Sequence, residues 1–146
     1  PGAAGAGYLY ACCLIVSLAC AKTGFENIPA LCYRCIRWLI NGLSETSVTG
    51  VYRDGVCDLV IDNYKVGGSC LQRSRDFAYF SAVLPVSCDL VMMDRYLRYP
   101  PREPVYRQGR PHTAFVRNLN QFFEYLTVPE VVALLNRRLD RNVFAR

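Results

Sequence analysis

Lys65 has the surroundings of a residue that does chemistry. It leaves an expected turn pair, Asp62-Asn63, that follows the apolar run Leu59-Val60-Ile61, rich in β-branched residues, and Val66 then leads into Gly67-Gly68. A lysine on a strand, followed by two residues without a Cβ, lets a cation and a backbone approach the same ligand group, and an anion is the natural one. The same pattern also suits a plain hairpin with a solvated lysine and a glycine bulge. The other reactive side chains are eight cysteines and one histidine, His112. Cys32-x-x-Cys35 has the spacing of half a zinc site or a redox dithiol, but a zinc site needs a second pair or histidines. Cysteines used as small buried apolar residues are the expectation there.

The elements that must hold the hairpin can be read from periodicity. Strands are expected over 48–53, 57–62, 64–70 and 77–86, joined by short Gly- or Asp-containing connections into an antiparallel meander. Ahead of them, Asn27 is the expected N-cap with Pro29 in the first turn, and Gly42 is expected to close the helix. Ile28, Leu31, Cys32, Cys35, Ile36, Leu39 and Leu43 form one apolar face of that helix, with Trp38 also expected in the core. A helix over 89–98 turns Leu90, Met93, Tyr96 and Leu97 inward, a proline-rich loop covers 99–110, and 113–119 is a short helix. Thr127-Val128-Pro129-Glu130 is a capping box opening a helix to about Arg141, with Val131, Leu134, Leu135 and Leu139 on its buried face. Near the start, Tyr8 to Ala21 is almost wholly apolar. It is short for a membrane span and lacks a basic leader, so it reads as one or two buried strands with Leu14, Ile15 and Val16 in the core. Together these give an α+β architecture, a mixed, largely antiparallel sheet backed by helices, in a single domain over 1–146.

Composition narrows the function classes. A hydrophobic content of 52% against 20% charged residues excludes a disordered chain. The net charge of +5 suits an acidic protein partner, while no basic run exceeds two residues, so neither a nucleic-acid footprint nor a membrane role is expected. The scattered cysteines do not form a small disulfide framework, which points to a reduced, intracellular (cytoplasmic or organellar) protein.

Three blocks carry a family resemblance: Asp58-Leu59 with Lys65-Val66-Gly67-Gly68-Ser69-Cys70; Arg73-Ser74-Arg75-Asp76 with Asp89-Leu90; and Arg102-Glu103-Pro104-Val105-Tyr106-Arg107-Gln108-Gly109-Arg110 running on through His112, Phe115 and Asn118-Leu119. Over about residues 7 to 120 the chain resembles the lipoate–protein ligase A family of the biotin/lipoate ligase superfamily, in the C-terminal part of its catalytic domain. The resemblance implies ATP-dependent activation of lipoate or octanoate to an acyl-adenylate, then transfer to a lysine of a lipoyl carrier domain. ATP, Mg²⁺ and lipoate are the implied cofactors. Lys65 corresponds to the family's catalytic lysine, and Asp58, Gly67, Gly68 and Ser69 would bind substrate or adenylate, with no metal held by the protein itself. Where family members carry His-His-Gly-Thr, this chain has Phe80-Ser81-Ala82-Val83. Residues 1–7 hold no arginine where the resemblance implies an arginine- and glycine-rich segment just upstream, so either a piece of a longer enzyme or the loss of part of the pocket is expected. Two other readings therefore stand beside the ligase. One is a non-catalytic relative or subunit that binds a carrier or a partner chain. The other is an octanoyltransferase acting through a cysteine thioester, with Cys57 as acyl carrier. Arg107 and Arg110 are candidates to meet a carrier domain, though solvated loop arginines are the commoner case.

Overall fold

A computed structural model describes residues 12–21 and 27–139. Five strands, β1 (Cys13–Ala21), β2 (Tyr52–Asp54), β3 (Asp58–Ile61), β4 (Tyr64–Arg73) and β5 (Phe77–Pro85), form one sheet in the order β1-β5-β4-β3-β2. Every neighbouring pair is antiparallel, and the parallel component is an isolated bridge between Lys65 and Val116. Helices α1 (Ile28–Ser44) and α4 (Val128–Arg138) cover one face, where Leu39, Leu43, Leu59, Val66, Phe80 and Leu84 make the main core. A smaller cluster of Val60, Tyr106, Phe115 and Val116 lies under β3 on the other face. The α+β expectation holds.

Local rules explain most of the element ends. Asp62 and Asn63 both have positive φ, 47° and 66°, which a two-residue hairpin loop of matching twist requires. Asn27 accepts a hydrogen bond from the Ala30 amide, and Thr127 and Glu130 cap α4 reciprocally. Tertiary contacts override other readings. Gly42 does not stop α1, which runs to Ser44; it is buried against α4, where a Cβ would collide with the Leu139 side chain. Ile15 is 48% exposed while Leu14 and Val16 are buried, because the helices cover only one side of β1. Ile28 and Tyr96 are likewise exposed, and Trp38 is half-buried against the core.

Boundaries shift for similar reasons. Val48 and Val51 are buried outside any strand, and β2 begins only at Tyr52. The helix expected over 89–98 is reduced to α2 (Val91–Tyr96), which buries none of its side chains fully. The helix expected over 113–119 ends early as α3 (His112–Phe115), since Val116 turns extended to bridge Lys65; a separate 3-10 turn covers Leu119–Gln121. α4 ends at Arg138 with Leu139 extended, and Arg141, like Tyr8 to Ala11, lies outside the described residues.

Candidate active site

The site is made by one irregularity in the sheet. Leu59 pairs with Gly67, but Val60 pairs with Lys65, so Val66 is an extra residue on β4. Cross-strand partners share a face. Lys65 therefore sits on the Val60 face, Val66 and Gly67 point into the helix-covered core, and Gly68 returns to the face of Asp58. The bulge brings Asp58, Lys65 and Gly68 to one side of the sheet. A perfect two-residue alternation would have put Lys65 and Gly68 on opposite sides.

There the Lys65 ammonium donates to Asp58 Oδ1 at 2.6 Å, and the Tyr106 hydroxyl donates to Asp58 Oδ2 at 2.9 Å. The lysine side chain stays 31% exposed, so the ammonium is both held and reachable. Burial, and next the charge of Asp58, push the Tyr106 phenol above its usual range and keep it a donor. Gly68 is the floor beside the ammonium: a Cβ there would stand 3.3 Å from Lys65 Cε and 3.4 Å from Nζ. Following the register outward, Asp58, Gly68, Val83 and Ile15 form one row across the sheet, with Cys70, Ser81 and Ser17 in the next row on the same face.

The loop block carrying Tyr106 is locked to the hairpin. Arg117 N–H donates to the Lys65 carbonyl at 2.9 Å. Arg107 is buried, contrary to the expectation of a solvated loop arginine or a carrier contact. Its guanidinium lies over Tyr99 and Phe115, it pairs with Glu103 at 3.6 Å, and its Nε donates to the Arg110 carbonyl. Arg110 returns a bond to the Arg107 carbonyl and reaches the Asn63 carbonyl in the hairpin turn at 2.9 Å. Both arginines thus set the position of Tyr106. His112 has the same kind of role: Asp94 accepts from its backbone amide, from Thr113 and from the imidazole Nδ1 (3.1 Å) at the start of α3.

Two expected site residues lie elsewhere. Gly67 faces the core, where a Cβ would stand 3.0 Å from the Val83 carbonyl oxygen, so its missing side chain serves close packing of β4 on β5. Ser69 also faces the helices; its hydroxyl and amide both donate to the Cys57 carbonyl. Cys57 is on that side too, its Sγ 3.7 Å from Cys32 Sγ on α1. Its hydrogen bond to Cys32, then burial, hold the Cys57 thiol well above the ordinary range; the same hydrogen bond, acting against burial, brings Cys32 down to about 7. A thiol held protonated on the far side of the sheet is a poor acyl carrier for Lys65, whereas the exposed Cys70 shares the lysine's face. Cys35 is fully buried, as expected for a packing residue. Tyr106 was not anticipated: its partner Asp58 is 48 residues away, and only its place in the Arg-Glu-Pro-Val-Tyr-Arg loop marks it.

A cavity of about 620 Å³, walled by Ser87, Asn120, Glu124, Tyr125 and the start of α4, includes none of Asp58, Lys65 or Gly68. The candidate chemistry therefore belongs to the open sheet face. Among the described residues, no helix is long and apolar enough to cross a membrane.

Comparison with known proteins agrees with the fold. Solved structures with the same fold include a lipoate-protein ligase A bound with ATP (17% identity over 86% of this chain and 49% of that chain, TM-score 0.64). They also include the bi-partite lipoate protein ligase of Thermoplasma acidophilum, studied with its E2 lipoyl domain (16%, 86% and 49%, TM-score 0.63). The biotin protein ligase of Aquifex aeolicus, in complex with biotin and ATP, is a third (16%, 90% and 50%, TM-score 0.60). The chain spans about half the length of these proteins. A search of curated protein sequences returned no match. The profile of the lipoyl protein ligase A/B catalytic domain matches residues 8–140, and the chain belongs to that family.

Proposed function

We propose that this chain carries the catalytic lysine of a lipoate–protein ligase, which activates lipoate or octanoate with ATP and passes the acyl group to a lysine of a lipoyl carrier domain. The observation that carries the reading is Lys65: a reachable ammonium held by Asp58 over the bare backbone of Gly68. Activation and transfer both build negative charge on acyl and phosphate oxygens, and a fixed cation aimed at that charge lowers the barrier. Asp58, itself fixed by Tyr106, orients the ammonium without consuming it, because a carboxylate on one side leaves the other N–H bonds free for a ligand. The row Gly68, Val83, Ile15 leads away from Lys65 as an apolar floor suited to an acyl chain. ATP supplies the activated phosphorus. For Mg²⁺ the fit is poor: both Asp58 oxygens are engaged, and the only group of three metal-ligating side chains among the described residues is a cysteine cluster. No step is assigned to the ion.

The test is calorimetric titration of ATP, with and without lipoate, followed by lipoylation of a carrier domain read by mass. Binding and transfer that Lys65→Ala removes support the reading. ATP binding indifferent to Lys65→Ala would sink it. A second reading rests on the open face itself. Ile15 is exposed in the site's own row and Tyr79 and Phe77 further along the same sheet face, and a partner chain laid there would complete a pocket. In that case carrier or nucleotide binding would appear only with the partner present.

A further inference from the structure

We propose that Cys12, Cys13 and Cys88 form a binding site for one thiophilic cation of the Zn²⁺ class. Cys88 Sγ lies 2.7 Å from Cys12 Sγ and 2.9 Å from Cys13 Sγ, and the three sulfurs fall within 4.8 Å of one another. Two of them are sequence neighbours, but Cys88 arrives from 75 residues away, so the convergence is a product of the fold. The backbone around it is fixed from both sides. The buried Asn118 accepts from the Cys88 amide at 3.0 Å and donates to the Cys88 carbonyl at 2.8 Å. The Cys12 carbonyl accepts from the amides of Val86 and Ser87. Such outer contacts are what hold first-sphere ligands in register.

The donor set decides the class of ion. Three sulfurs with no oxygen or nitrogen select soft ions such as Zn²⁺ and Cd²⁺ over Mg²⁺ or Ca²⁺. With three ligands from the chain, a tetrahedral ion keeps its fourth position for water or an added ligand. Cys12 and Cys13 are only half-buried, which leaves a way in. Each thiol gives up its proton to the solvent as its sulfur–metal bond forms, so about three protons leave per ion bound. The site would tie the start of β1 to the chain just after β5, and it does not depend on the ligase reading.

The experiment is titration of the reduced whole chain with Cd²⁺ without oxygen, following the thiolate-to-cadmium charge-transfer absorption and the protons released. One saturable equivalent is expected. Cys12→Ser and Cys88→Ser should each remove that step, while Cys70→Ser, at an exposed position, leaves it unchanged. Asn118→Ala should weaken it by roughly 10–100-fold through loss of the outer contact. Zn²⁺ in about 100-fold excess over its dissociation constant should raise Tm by roughly 5–10 °C in the parent chain but not in the serine variants. If Cys88→Ser fails to fold by circular dichroism, Cys12→Ser at the half-buried edge gives the answer. Failure of the reduced chain to take up either ion, or uptake that survives both serine variants, overturns the site. A disulfide from Cys88 in the isolated chain, with no metal uptake after reduction, would reassign the cluster to redox chemistry.

Discussion

Removing the Lys65 side chain should separate catalysis from stability. The ion pair with Asp58 closes at 2.6 Å. Coulomb's law gives about 1.6 kcal/mol for that distance in water and about 6 kcal/mol at an effective dielectric of about 20. Both ions lose hydration to meet, and the lysine remains nearly a third exposed, so the net coupling should be only about 1–2 kcal/mol. Lys65→Ala also leaves Asp58 with Tyr106 as its hydrogen-bond partner, and urea unfolding should show a loss of that order. Asp58→Asn in the Lys65→Ala background should recover most of it, since the stranded charge is gone. Activity should behave differently. Loss of a cation aimed at developing charge costs on the order of 100-fold or more, and the second substitution should recover none of it. Carrier-domain lipoylation read by mass, beside urea curves for the four members of the cycle, makes the comparison. If transfer recovers together with stability in the double variant, or Lys65→Ala lipoylates at the parent rate, Lys65 is only a strut and the reasoning fails.

Three further outcomes follow from the geometry. Gly68→Val puts its branch against Lys65 Cε and Nζ, 3.3 and 3.4 Å from the added Cβ, and should weaken nucleotide binding about 10-fold or more by calorimetry, because misplaced charge loses its preorganisation. Tyr106→Phe removes the 2.9 Å bond to Asp58 and should cost about 1–2 kcal/mol in urea unfolding; no change would mean solvent already satisfies that oxygen. The Cys32–Cys57 pair should make stability depend on pH in two directions. With Cys32 lowered from 9.0 to about 7, folding is favoured increasingly as pH rises from about 7 to 9, and this gain is lost as pH falls back through 7. Cys57 is raised, so above about 9 the unfolded chain ionises first and stability declines. Peptide mapping of iodoacetamide adducts at pH 7.5 should show Cys32 labelled ahead of Cys57, and Cys57→Ala should move the Cys32 midpoint up towards 9.0; equal labelling would refute the pairing.

Local chemistry made much of the molecule legible. Asp62-Asn63 marks a two-residue loop because few residue pairs tolerate positive φ twice in succession, and Thr127 with Glu130 marks a helix start because the cap is made within four residues. The buried stripe of α1, the lysine beside paired glycines and the Arg-Glu-Pro-Val-Tyr-Arg loop are also properties of short windows. What needed the tertiary structure is the side of the sheet each residue occupies. A single extra residue at Val66 reverses the alternation, placing Gly68 with Lys65 and sending Gly67 into the core; Ser69 and Cys57 also prove to face the helices. Strand propensity is the same with or without a bulge, so no local signal announces the reversal. Gly42 reads as a helix stop until α4 is packed on it, and Arg107 reads as solvated until Tyr99 and Phe115 enclose it. The sequence by itself determined the lysine, the turn and the helices around it. Which groups stand beside that lysine was decided by pairing and packing between residues tens of positions apart, whose energies no local window contains.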